Sequence, residues 1–320
     1  GGARSITGYG FSPDFVWIKK RNAGTDHQLA DSVRGQGNII ISNGSNATEA
    51  STSSLTSFDS DGFGFNTGTS SYVNNSNDQF IAWGWKAGTA YTPTASAYTS
   101  PTASINVAGG FGIYKVTDNS TASGSSISHG LGVAPDMMFG KSLANAYNWD
   151  VYFRGVTATN QRLVLNSGAG VATATVYPTA PDATNFYTAG TPNHGVGDQI
   201  FYVWAAKAGV SAFGTYSGSS GAKTVYLAAN GDSSSGADTF TPKMIIIKRS
   251  NSTENWLIYD VFRGMGTSGS TNANELTANA NGSENTTSAG ITTTTGSFSM
   301  NSSLDHLNET GGTYIYAAFA

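Results

Sequence analysis

No cysteine occurs among the 320 residues, which excludes a disulfide framework, a thiolate zinc site and thiol catalysis. Charge is scarce as well. Charged residues make up 11% of the chain, against about 25% in an ordinary globular domain. Sixteen Lys and Arg against twenty Asp and Glu leave a net charge of −4, and the basic residues form no cluster. Gripping nucleic acid needs a concentrated basic face, so no nucleic-acid partner is expected. No apolar run approaches the ~18 residues of a bilayer span, so no transmembrane helix and no membrane partner are expected.

What is abundant is Ser, Thr, Asn and Gly, with forty glycines, and these are poor helix formers. Apolar residues fall in short runs such as FVWIKK, GFGIYKV, MIIIKR, FYVWAAK and TYIYAAFA. Short runs bounded by Gly, Asn, Ser and Pro read as strands. The fold class expected is all-β, in sandwiches.

The runs recur in order. A proline opens an apolar stretch at Pro13, Pro135 and Pro242, and a lysine follows six residues later at Lys19, Lys141 and Lys248. An Arg-Gly comes next, at Arg34-Gly35, Arg154-Gly155 and Arg263-Gly264. An aromatic stretch closes each copy: FIAWGWKAG from Phe80, FYVWAAKAG from Phe201, and TYIYAAFA at the end. The reading is three tandem β-sandwich repeats, concanavalin-like or jelly-roll-like: 1–88, 105–209 and 210–320. Residues 89–104, rich in Thr, Ala, Ser and Pro, read as a linker and the looser of the two joints. Proline suits a strand start because it lacks a ladder N–H. The closing aromatics Trp83, Trp204 and Tyr316 are expected in the core.

The stretches GFSPDFVWIKKR, DHQLADSVRG, SFDSDGFGF, FIAWGWKAG, HGLGVAPDMM and YIYAAFA resemble tandem β-rich repeat virion proteins of tailed marine bacteriophages, of the tail-fibre or concanavalin A-like lectin type. The second copy departs from the pattern, reading APDATNF where the first reads SFDSDGF. The resemblance implies a non-enzymatic structural protein on the virion surface, outside the cell, in a tail fibre or similar appendage. Its implied partners are other virion proteins, further copies of itself (a homotrimer before other states) and host surface glycan. A capsid decoration protein and a carbohydrate-binding lectin module are the alternatives.

The residues themselves name no catalytic, metal or cofactor site, and no cofactor is expected. His27, His129, His194 and His306 have no metal-ligand spacing, and His27 stands where the third copy has Trp256, seven residues ahead of the arginine. Asp59 and Asp61 are the best cation candidates, yet neither other copy keeps the pair. Asp31–Arg34, Asp150–Arg154 and Asp260–Arg263 recur three times, which suits a structural pairing across the hairpin better than an active site.

One imbalance remains. The second copy has an apolar strand, GFGIYKV, ahead of its proline, and the third has a counterpart around Phe213 to Tyr216. Only twelve residues precede Pro13. The first copy is therefore expected to lack a strand and to show an open sheet edge. A segment upstream of Gly1, which is not a methionine, is expected to fill it, ahead of the alternative of a neighbouring subunit.

Overall fold

The computed structural model describes residues 1–50, 54–66, 72–119, 124–189, 195–266, 273–287, 290–301 and 304–320. Among them there is no α-helix, only strands, turns and one 3-10 turn at Val261–Arg263. The protein is all-β and antiparallel throughout its strand ladders.

Three sheets carry the ordered motifs. The first has three strands in the order Gln28–Asp31, Phe15–Lys20, Phe80–Trp85. The second has eight, and its middle reads Asp150–Phe153, Met137–Ser142, Gly197–Trp204, Phe111–Asp118. The third has six and includes Trp256–Asp260, Met244–Arg249, Thr313–Phe319, Ser211–Ser217. The prolines stand two residues ahead of equivalent strands, those starting at Phe15, Met137 and Met244. In each sheet the residue after the proline donates its amide to the last carbonyl of the closing strand: Asp14 to Trp85, Asp136 to Trp204 and Lys243 to Phe319, all at 2.8 Å. Proline thus sits one position outside the ladder, where its missing N–H costs nothing.

Each of these sheets buries both faces, which explains why its strands read as unbroken apolar runs rather than alternating ones. One face packs under a small sheet of its own. In the first sheet Val16, Ile18 and Ala30 meet Leu55, Phe63 and Phe65. In the second Tyr114, Val116 and Phe201 meet Ile127 and Phe186. In the third Ile245, Ile247 and Tyr316 meet Val225, Phe298 and Met300. These are two-layer sandwiches. The opposite faces of all three sheets meet in one shared core: Phe15, Trp17 and Trp83 from the first, Phe139, Trp149, Tyr202 and Trp204 from the second, Ile246, Trp256 and Phe319 from the third. The rings of Phe15 and Tyr202 stack across two sheets at 4.3 Å. The molecule is a prism, with three sheets facing a common apolar axis.

Residues 89–104 differ from the linker expected. Thr89–Tyr91 and Tyr98–Asn106 are strands at the edge of the eight-stranded sheet. Thr and Tyr favour a pleated surface, and Pro101, which has no N–H for a ladder, stands where the register shifts between Thr99 and Thr102. The first sheet is not on a loose hinge either, since its inner face lies in the shared core.

The closing aromatics are buried as expected: Trp83, Trp204 and Tyr316 are 7%, 2% and 0% exposed. They are not equivalent to one another. Trp83 and Trp204 point into the shared core, whereas Tyr316 points into the third sheet's own sandwich.

Candidate functional site

The recurring polar residues lie where the three sheets meet, and they tie the prism into a ring. Lys19, Lys141 and Lys248 are fully buried. Each ammonium donates to the carbonyl of the next residue (Lys20, Ser142 and Arg249) and to one four residues on, those of Ala23, Asn145 and Ser252. It thereby pins the turn that follows its strand. Two of them also reach a neighbouring segment, Lys141 to the Ser45 carbonyl at 3.1 Å and Lys248 to that of Gly168 at 3.0 Å. Burial pushes all three down to about 8.

An aromatic N–H repeats the pattern. Trp149 donates to the Ile41 carbonyl at 2.8 Å, and Trp256 to that of Val164 at 2.9 Å. His27 Nε2 lies 3.1 Å from the Thr277 carbonyl. Trp17 Nε1 can only donate, and it lies 2.8 Å from His27 Nδ1. The proton of the neutral imidazole is therefore on Nε2. Burial lowers His27 to about 3, with the Lys19 charge adding to the effect. His27 is thus a packing residue in the place of Trp256, and its contact closes the ring from the third sheet to the first. Arg21 reinforces that seam, binding both carboxylate oxygens of Glu284 at 2.8 and 2.9 Å.

Two of the three Asp–Arg pairs form. Arg34 bonds Asp31 and the Leu29 and Asn38 carbonyls. Arg263 bonds Asp260 and the carbonyls of Ile258 and Asn274. A side chain from a neighbouring sheet completes each: the Tyr202 hydroxyl donates to Asp31 at 2.6 Å, and Trp83 Nε1 to Asp260 at 3.1 Å. The glycine after each arginine has a positive φ, +86° at Gly35 and +96° at Gly264, which lets the chain turn away beneath the guanidinium. The second pair is different. Asp150 pairs with Arg162, and Arg154 instead lies 3.3 Å from Asp136, half exposed. The cause is spacing: Asp150 and Arg154 are four residues apart where the other pairs are three, so the longer corner turns Arg154 outward.

The other candidates have local duties. Asp61 accepts the amides of Gly8 and Gly10 at 3.0 and 2.6 Å and fastens the first strand's turn. Asp59 ends the strand Leu55–Asp59, opposite Gly62. His129 is held by the Leu131 amide and the Asp182 carbonyl. His306 lies 3.6 Å from Glu275. His194 lies outside the described residues. Among the described residues no three His, Asp or Glu side chains are grouped to hold a metal.

Two of the surface hollows border the residues just described. A cleft of about 640 Å³ lies between the second and third sheets, with Asp136, Arg154 and Asp238 over an apolar floor that includes Phe213 and Leu227. A groove of about 480 Å³ follows the outer edge of Phe80–Trp85, bounded by Tyr9, Phe11, Met244, Phe262 and Phe319. Sequence reading found neither. The only signal for the cleft was the one-residue difference in Asp–Arg spacing, and the signal for the groove was the strand missing ahead of Pro13.

The whole chain, residues 1–320, matches the family described as a domain of unknown function, DUF7483, and belongs to it. No curated protein and no solved structure matches it.

Proposed function

We propose that this chain is a non-enzymatic structural protein of a bacteriophage virion, a module of a tail fibre or a similar surface appendage. The observation that carries the reading is where the recurring polar residues are spent. The buried lysines, the two arginines and His27 are all bonded within the chain, holding three sheets around one core. A protein whose ionisable groups are used as fasteners is suited to bearing load and to lasting outside a cell. Sparse surface charge fits the same role, because copies packed side by side on a particle repel one another little. The resemblance to phage virion repeats supplies the biological setting.

The cleft between the second and third sheets is the proposed contact for host surface glycan. Arg154 offers exposed donors there, beside a carboxylate and an apolar floor of the kind a sugar ring can lie on. Glycan-array binding that Arg154→Ala abolishes is the result expected. Equal binding by the variant would remove the cleft from the reading.

The prism also favours a second reading, a capsid decoration protein in which one chain takes the place of a trimer. Gold-labelled antibody on intact particles separates the two, since label on tails supports the fibre and label on heads the decoration protein. Label on neither would end both. Sedimentation adds to this: fibre assembly predicts a homotrimer, three times the 33.1 kDa of one chain, and the decoration reading a monomer in solution.

A further inference from the structure

The three closing strands sit in unequal surroundings. In the second sheet Gly197–Trp204 lies between Met137–Ser142 and the flanking strand Phe111–Asp118. In the third, Thr313–Phe319 lies between Met244–Arg249 and the flanking strand Ser211–Ser217. In the first, Phe80–Trp85 pairs, among the described residues, with Phe15–Lys20 alone and ends the sheet. Burial follows. Residues 200–204 and 314–318 are all buried, whereas in Phe80–Trp85 only Trp83 is.

The Arg21 amide donates to the Gln79 carbonyl. By the alternation of an antiparallel ladder, Ile81, Trp83 and Trp85 then bond inward, and the amides and carbonyls of Phe80, Ala82 and Gly84 face the open edge. The Ala82 carbonyl accepts the Tyr9 hydroxyl at 3.1 Å, which agrees with that direction. Along this edge runs the apolar groove, and at its rim Phe262 is 83% exposed. The neighbouring strand Arg4–Thr7 cannot fill the gap, because it is paired with Gly62–Phe65 in the outer sheet.

We infer that the edge of Phe80–Trp85 is an acceptor site for a β-strand supplied in trans by another polypeptide, which completes the first sheet as Phe111–Asp118 and Ser211–Ser217 complete the others. The two occupied edges define the chemistry of the guest. It runs antiparallel to the closing strand. Its residue opposite Gly84 is small, as Gly112 faces Val203 and Ala212 faces Ala318. Its residue opposite Trp83 is large and apolar, as Ile113 faces Tyr202 and Phe213 faces Ala317, and that side chain enters the shared core. Main-chain bonds supply affinity, and these two positions supply specificity.

The probe is a fluorescent synthetic peptide of the chain's own flanking strand, GFGIYKVTD (Gly110–Asp118), added to the full-length protein. Saturable one-to-one binding is expected, with at least tenfold weaker binding of a scrambled peptide. Ala82→Pro removes an outward amide without touching the inner ladder, so it should retain the far-ultraviolet circular dichroism of the parent and lose at least tenfold in affinity. Hydrogen exchange serves even if that variant does not fold. The Ala82 and Gly84 amides should exchange fast in the free protein and become protected with peptide. Equal binding of the scrambled peptide, or undiminished binding by a folded Ala82→Pro protein, would overturn the inference. So would slow exchange at those amides in the peptide-free monomer, because the chain itself would then already fill the edge.

Discussion

The residues that set this protein's response to pH are buried ones, and they act in opposite directions at the two ends of the scale. His27 is neutral in the fold because burial holds it at about 3, whereas unfolded it would take a proton near 6.5. Between those values the unfolded chain binds more protons, so stability is lost as pH falls. From pH 7 to pH 5 His27 alone should remove about 2 kcal/mol, read as a shift in the urea midpoint. His129, also lowered by burial, adds to the loss. The direct check is the His27 ring resonance, which should not move between pH 8 and pH 5; a midpoint near 6.5 would refute the buried neutral role.

The alkaline limb has two parts. Lys19, Lys141 and Lys248 lose their protons near 8 in the fold and near 10.5 when unfolded, so stability rises across that window. Tyr114, Tyr202 and Tyr216 are pushed well above 10 by burial. Once unfolded tyrosine ionises near 10, stability falls again. A maximum between about pH 8 and pH 10 is expected in urea melts. Lys141→Met should flatten the rise in proportion to its share, and a curve of unchanged slope would show that Lys141 does not titrate in the fold. The sequence showed the thrice-placed lysine but not its burial, since a charged residue at a strand's end reads as leaving the core. The two carbonyls that each ammonium shares with its own turn come from turn geometry that composition does not encode.

At the scale of single elements, the strand that each proline opens was legible because both its faces are buried, which makes the run continuous. The Thr89–Ser104 stretch was not legible. Its Ser, Thr and Pro content is that of a loop, and only pairing makes strands of it, Tyr98–Asn106 with Phe111–Asp118 and Thr89–Tyr91 with Tyr98–Asn106. The unequal Asp–Arg corner shows how one inserted residue redirects a side chain while the strands on either side keep their places. Two substitutions test the elements that join the sheets. Trp149→Phe keeps the ring but strands the Ile41 carbonyl in the seam, at a cost of about 1–3 kcal/mol. Trp204→Ala leaves a cavity where Phe15, Trp85, Phe111 and Phe139 converge, at a cost of about 3–5 kcal/mol. Chemical denaturation should place the two in that order, and a silent Trp204→Ala would contradict the shared core.

For the whole molecule, three motif sets in tandem suggested three sandwiches, the second and third closely joined and the first on a linker at 89–104. The periodicity of the strands says that a second face is apolar, but not what covers it. The cover is the other two sheets, and that arrangement makes a specific claim about cooperativity. A sheet removed from the prism would expose Phe139, Trp149, Tyr202 and Trp204, or their counterparts, as one apolar face far larger than a soluble monomer carries. The full chain should therefore unfold in a single calorimetric transition, with calorimetric and van't Hoff enthalpies equal. Residues 89–209, which hold every strand of the second sheet, should aggregate or self-associate when expressed alone, with a trimer able to rebuild the core from three identical faces. Three resolved transitions in the full chain, or a sharply melting monomer of 89–209, would mean that each sandwich is stable without its neighbours.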